Sequence, residues 1–520
     1  MRVLATKRAL CFAAILLVSA CSSDPEAPKR CDGQTRCAAD LDVGLDTGLD
    51  TGLDTGLDTD GQPDADGQPD ADGQPDTDGQ PDTDGQPDGD ADGQPDATLQ
   101  DPFAGGFVEL STSTPDRTPP SSQTLRALIP ERGAFTFPAP YNTTGVRITN
   151  ESDCSGATDC VNYVGYSYWA NMNNHVGSDI MYIFIGLNSE RGGTGPTLFS
   201  FNKLTDEVKN LGPLLGGAHQ AASAEGWYFS ATAPTRLYTN NGSAMRRWDV
   251  LNHSYETVFD AAAEHGAGHY LWQMSSSVDD NVHAATLRRS SDYAMLGCVV
   301  YVEDKDDLHY FPHLGRGMDE CQIDKSGRWL LMKEDIDGEQ GEDNRIIDLQ
   351  EGVETHLFDP DGAGGHSDIG FGYMVATDNY GKPFATRLWK FDNDPLVGPH
   401  VYENQSWTSI GGGPNHIAHG NARADVAPEQ QYACGSNVTS ATGRARSNEI
   451  VCFPLDGSLN TLVVAPVMTE LSASGGGNDY AKMPKGNIDV TGQYFIWTSN
   501  VGGDRLDAFI VKVPAHLLNL

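Results

Sequence analysis

Histidine recurs in this chain at a spacing that could gather metal ligands from distant segments. Between about residue 165 and the C-terminus one short pattern is written seven times. A polar residue, usually histidine, is followed by a few small or acidic residues, a turn, and a strand rich in aromatic and β-branched residues. The clearest copies are His219-Gln-Ala-Ala-Ser-Ala-Glu-Gly-Trp-Tyr-Phe-Ser, Glu320-Cys-Gln-Ile-Asp-Lys-Ser-Gly-Arg-Trp-Leu-Leu and His366-Ser-Asp-Ile-Gly-Phe-Gly-Tyr-Met-Val-Ala. The heads read His175, His219, His269, Glu320 with Gln322, His366, His416 with His419, and Lys485. Only 14 of 520 residues are histidine, so its return at five or six of seven heads is not expected by chance. Imidazole is the commonest transition-metal ligand, and a carboxylate or amide oxygen can complete the shell. The alternative is a structural ring of histidines that holds water or caps neighbouring strands.

Such heads converge only if each repeat points its first strand at a common axis, which is what a β-propeller does. The turns of the seven copies lie near Ser178, Gly226, Asp280, Gly327, Phe371, Pro428 and Gly492, between 44 and 64 residues apart. Amphipathic helical runs are scarce, and short apolar strands bounded by Gly, Asn and Asp recur throughout. The expected fold is therefore all-β: a seven-bladed β-propeller over residues 101–520, WD40-like in plan but with irregular loop insertions. The final strand, Ala508 to Val513, is expected to close the ring against a strand from residues 105–150. A pair of β-sandwiches is the competing architecture. Trp272, Trp329, Trp389, Trp407 and Trp497 are expected mainly in the blade cores, with one or two available for stacking on a sugar.

The heads from His269 to His419 resemble those of oligogalacturonate-lyase-type propellers. The likeness rests on His269-Tyr-Leu-Trp-Gln-Met-Ser, the Glu320 to Trp329 copy, His366-Ser-Asp and His416-Ile-Ala-His419. It implies a divalent metal, typically manganese, held in the channel by three histidines and a glutamine. Carried over by blade position, these are His269, Gln322, His366 and either His416 or His419, with zinc as another candidate ion. It further implies β-elimination on a uronic-acid polysaccharide, with His219 as a possible base and Arg423 as a possible partner for the sugar carboxylate. Two features depart from that family: paired cysteines and an acidic N-terminal segment. Other catalytic patterns are missing. There is no Gly-x-Ser-x-Gly elbow, phosphate-binding loop or HExxH, and the couples Asp279-Asp280 and Asp359-Pro-Asp361-Gly read as turns.

The N-terminus reads as an export signal over residues 1–20. Arg2, Lys7 and Arg8 precede a short apolar run, Ala9 to Val18, too short to span a bilayer. Val18-Ser19-Ala20-Cys21 resembles a lipobox, which implies a lipidated Cys21 as membrane anchor and, with Ser22 following, an outer-membrane address. Eight further cysteines fall in local couples, and an oxidising compartment favours disulfides between Cys31 and Cys37, Cys154 and Cys160, Cys298 and Cys321, and Cys434 and Cys452. Their spacing does not suit a zinc site.

Residues 21–100 form an acidic tether. Gly-Leu-Asp-Thr repeats with period four, then Asp-Gly-Gln-Pro-Asp-Ala/Thr with period six. Few apolar groups and many Asp forbid a core. Asp64-Ala-Asp66-Gly echoes acidic calcium loops, so weak calcium binding is the alternative to a plain solvated spacer. The first hundred residues hold 22 acidic and 6 basic side chains, which leaves −23 of the total −39 on the propeller. That balance argues against nucleic acid as a partner. A monomer is expected. Two functions remain: a displayed module that binds a polysaccharide or protein ligand, favoured because no complete catalytic set is visible, or a metal-assisted polysaccharide lyase.

Overall fold

The computed structural model describes residues 103–520 except 112–116, 156–158, 163–169, 217–225, 340, 360–361, 379–384, 393–395, 404–415, 419–420, 439–445 and 477–478. The described residues form seven antiparallel sheets, five of four strands and two of five. Each is a blade of a seven-bladed β-propeller, as the repeat predicts. Blades are numbered I to VII in chain order. Their innermost strands are Met172–Asn173, Tyr228–Phe229, His269–Ser276, Met318–Ile323, Gly364–Ile369, His416–Ala418 and Asn487–Ile488. No helix among the described residues is long and apolar enough to cross a membrane.

The strand sequences follow from their place in a blade. Second and third strands are covered on both faces by neighbouring blades, so they read as continuous buried runs rather than alternating ones. Tyr494–Ser499, a second strand, and Glu449–Pro454, a third, are buried at every position. Outermost strands such as Val353–Leu357 face solvent and are polar. Trp227, Trp248, Trp389 and Trp497 are fully buried between blades. Trp272 and Trp329 are only half-buried, and the guanidinium groups of Arg288 and Arg328 lie over them at 5.2 and 5.0 Å.

In blades IV and VII the turn between the first and second strands is fixed by aspartate. Asp324 Oδ1 accepts from the backbone N–H groups of Arg328 and Trp329 at 2.8 and 2.9 Å, and Asp489 Oδ1 accepts from Tyr494 N–H at 2.6 Å. Gly327 and Gly492 sit in these turns at φ +76° and +74°, where other residues are strained. Successive turns are joined: Val278 N–H donates to Lys325 O, and Lys325 N–H to Gly370 O, both at 2.9 Å. Six of the seven turns anchored in the sequence fall here. The exception is Gly226. It precedes the inner strand of blade II instead of following it, so Tyr228–Phe229 is the inner strand and not the second one. The aromatic run resembles a second strand because this inner strand is itself buried between blades.

The N-terminal part closes the ring twice. Gly145–Arg147 pairs with Phe509–Val511, and Gly133–Thr136 adds outside it, so blade VII takes its two outer strands from the start of the domain. Phe107–Glu109 also pairs with Thr461–Val463 as a fifth strand on blade VI. A clamp of charges holds that strand. Arg117 bonds Glu109 and Glu449, Arg446 Nε donates to Glu109 at 2.9 Å, and Tyr141 donates to Glu449 at 2.6 Å. Three disulfides join couples expected from the sequence: Cys154–Cys160, Cys298–Cys321 and Cys434–Cys452. The second ties the third strand of blade III to the inner strand of blade IV. Cys21, Cys31 and Cys37 lie outside the described residues.

Candidate functional site

The inner strands end in a cavity of about 960 Å³ that opens to solvent and receives residues from all seven blades. Its wall is made from the last residues of the inner strands and the turns after them: Asn173, Tyr228, Ser275, Gln322, Asp368 and Asn487 each stand within the last two positions of an inner strand, and Ala422 comes from blade VI. Polar residues reach this place because an inner strand exposes an edge to the channel while its faces pack on neighbours.

Among the described residues, Gln322 is the one metal-ligand candidate from the sequence that lines this cavity. Its amide nitrogen donates to Glu320 Oε1 at 2.9 Å, inside a buried cluster between blades IV and V. Lys333 Nζ also donates to Glu320 Oε1, at 2.7 Å, and to Gly365 O at 2.7 Å. His366 follows Gly365 and faces the channel. Water reaches its ring, but the surrounding protein lowers its pKa below the ordinary histidine value. Lys333 pushes in the same direction and Glu320 opposes. Burial raises Glu342 at the same cluster, against the pull of Lys333. The structure thus gathers Glu320, Gln322 and His366, and adds Lys333, which the sequence did not single out.

The other candidates lie elsewhere. His269 opens its inner strand, with Nδ1 at 3.2 Å from Gly266 O, whereas Ser275 Oγ in the same strand accepts from Ile323 N–H beside Gln322. Six residues of strand separate His269 from that level, roughly 20 Å at about 3.3 Å per residue, so His269 stands toward the opposite end of the channel. His175 lies past its strand in the following turn, 2.6 Å from Asn173 Oδ1. Arg423 is exposed beside the cavity residue Ala422 and grips Asp425 through Nε and Nη2 at 3.0 and 2.5 Å. His416 falls in the inner strand of blade VI, paired with Ser436, but its side chain is outside the described set. His219, His419 and the acidic repeats of the tether also lie outside it.

Among the described residues one group could hold a cation through carboxylates. Asp335, Asp337 and Asp343 place ligand atoms within 4.8 Å of one another on the loop between the second and third strands of blade IV. Asp343 already accepts N–H bonds from Ile336, Asp337 and Asp359 at 2.7, 3.2 and 2.9 Å. Its sequence, Asp335-Ile-Asp337-Gly338, is the same acidic alternation seen in the tether.

A second polar chain leads away from the cavity. The Tyr228 hydroxyl meets His283 Nδ1 at 2.8 Å, and His283 Nε2 meets Glu303 Oε1 at 2.8 Å. Arg247 of blade II holds both oxygens of Glu303 at 2.9 Å. Ser276, also in the cavity wall, donates to Ser277 O at 3.1 Å. His283 is fully buried and stands outside the head pattern. Its partners are 55 residues upstream and 20 downstream, so no local motif marks it.

No family model matches this chain, and no curated protein matches it. Two solved structures share its shape. An oligogalacturonate lyase from Vibrio parahaemolyticus matches with TM-score 0.53 at 9% identity, over 80% of this chain and 100% of that one. An oligogalacturonate lyase in complex with manganese matches with TM-score 0.51 at 11% identity, over the same 80% and 100%. At these identities the likeness establishes the architecture: this chain is a seven-bladed propeller of the shape that oligogalacturonate lyases share.

Proposed function

We propose that this chain is a ligand-binding propeller of the cell envelope that seats a saccharide unit in the cavity at the turn end of its channel. One observation carries this reading: a solvent-open cavity lined by polar residues from six of the seven blades, with Ala422 from blade VI. Concave sites with a few fixed polar groups are the usual form of small-ligand sites. Removal of residues 1–20, lipidation of Cys21 and the acidic segment 21–100 complete the proposal, as an outer-membrane anchor and spacer for display. Cys21→Ser is expected to abolish labelling by radioactive palmitate. Binding is tested by passing the full chain over immobilised neutral and acidic glycans. Retention that falls at least tenfold in Gln322→Ala supports the cavity as the site, and retention unchanged in that variant refutes it.

The second reading is a metal-assisted polysaccharide lyase, favoured by the shared shape with lyases of which one was solved with manganese. The donor types partly suit a divalent ion. A lowered pKa keeps His366 uncharged at neutral pH, as a ligand must be, and Gln322 and Glu320 offer oxygens beside it. Gln322 and His366 would hold the ion, with His416 or His419 as further ligands. A bound ion would neutralise a substrate carboxylate and acidify the adjacent C–H. Lys333 weighs against this, because its ammonium already balances Glu320 at 2.7 Å. Manganese or zinc retained by the purified chain, lost in His366→Ala without unfolding, together with growing unsaturated-uronate absorbance on pectin, alginate or ulvan, would move this reading to first place.

A further inference from the structure

The cluster between blades IV and V is built around a cation that the chain itself supplies. Lys333 lies in the second strand of blade IV, directly across from Glu320 in the inner strand. Its Nζ donates to Glu320 Oε1 and to Gly365 O, both at 2.7 Å. Oxygens hold calcium at roughly 2.3–2.6 Å, so the ammonium stands among its oxygens much as a metal ion would. Glu320 and Lys333 are both buried. A buried carboxylate is either paired or bound to a metal, and here the pairing is with lysine.

The neighbouring groups are arranged around that ammonium. Gln322 donates to the same Glu320 Oε1 at 2.9 Å. An ionised carboxylate only accepts, so the amide end facing it is the nitrogen. A metal at this place would take the amide oxygen instead. Glu320 Oε1 thus receives two donors, one charged and one neutral. His366 directly follows Gly365. Burial lowers its pKa, and the positive charge of Lys333 pushes the same way. Burial raises Glu342, and Lys333 draws it back. One ammonium therefore acts on Glu320, Glu342 and His366 alike. A divalent ion seated between Glu320 and His366 would meet that charge and be repelled by it.

We propose that Lys333 is the resident cation of the channel: its ammonium takes the place between Glu320 and the Gly365 carbonyl that a divalent ion would otherwise fill, and it balances the buried carboxylate without a metal. Carboxylate and carbonyl oxygens suit manganese, magnesium or calcium, so removing the lysine head turns the same oxygens into an ion site. The inference concerns the cation alone. Retention on glycans, which tests the cavity, is a separate measurement and can fail without it.

The test counts manganese bound to the full chain, from the loss of the free Mn(II) signal in electron paramagnetic resonance. It compares wild type, His366→Ala, Lys333→Ala, and Lys333→Ala combined with Glu320→Gln. Any ions held by the acidic N-terminal segment or by Asp335, Asp337 and Asp343 count equally in every chain. The expected result is the same uptake in wild type and His366→Ala, a further ion in Lys333→Ala, and a return to the wild-type count in the double variant. An ion lost on going from wild type to His366→Ala shows a metal beside Lys333 and overturns the proposal. So does a folded Lys333→Ala that gains no ion, or one whose added ion survives Glu320→Gln. Should Lys333→Ala be unfolded by circular dichroism, restoration of its fold by manganese supports the proposal, and failure of manganese to restore it overturns it.

Discussion

Replacing Lys333 by methionine tests whether the cluster beside the channel is a charge-balanced unit. Lys333 and Glu320 are 2% and 7% exposed at their side chains and 2.7 Å apart. Removing one partner of such a pair leaves a buried charge uncompensated, which costs about 3–5 kcal/mol. Loss of the bond to Gly365 O adds about 1 kcal/mol. Methionine fills most of the lysine stem, so little cavity penalty is expected. Glu320→Gln combined with Lys333→Met removes both charges, and replacing a whole buried pair is often nearly neutral. The double variant is therefore expected to recover at least half of the loss. Urea unfolding followed by tryptophan fluorescence measures it; at an m-value of about 3 kcal/mol/M the single variant shifts the midpoint by about 1.5 M. A loss below about 1 kcal/mol for Lys333→Met, or a double variant no more stable than the single one, refutes the reasoning.

Other outcomes follow from other parts of the molecule. Arg117→Ala leaves Glu109 and Glu449 without one cation and is expected to cost about 3 kcal/mol, with faster hydrogen exchange confined at first to Phe107–Glu109 and blade VI. Burial lowers Lys485 to about 7, below its unfolded value near 10.4. The unfolded chain then binds more protons between those values, so stability rises as pH goes from 7 to 10 and is lowest below 7. Lys485→Met is expected to remove that slope and raise stability at pH 7, as read by unfolding at several pH values. Opening Cys298–Cys321 in a double Cys→Ala variant frees a 23-residue separation and is expected to cost about 3 kcal/mol, seen as a lower unfolding midpoint without reductant.

The ring was legible because aspartate and glycine mark its turns. Asp324 with Gly327 and Asp489 with Gly492 each precede a buried strand, and a turn of polar or glycine residues returns at similar intervals between them. Closure against residues 105–150 was legible for the same reason: the final blade lacked an outer strand. The second latch, Phe107–Glu109 on blade VI, was not, because three residues beside a Pro- and Ser-rich stretch carry no period. In blade II the aromatic inner strand obscured the register. The site was read one layer away from the cavity. Counting forward from a histidine head selects Glu320 and His366, whereas counting back two residues from each turn selects Tyr228, Ser275, Gln322, Asp368 and Asn487. The Tyr228–His283–Glu303 chain crosses between blades, and no spacing within one repeat encodes it.

The two N-terminal latches act in a fixed sequence under mechanical load. A pull entering the chain ahead of Phe103 reaches Phe107–Glu109 first, held by three residue pairs and the Arg117 and Arg446 clamp. Only after that strand has peeled does force arrive at Gly133–Thr136 and then at Gly145–Arg147, whose pairing with Phe509–Val511 keeps the circle shut. The strand on blade VI therefore stands as the outer of two latches, and the pairing that closes the ring does not run through it.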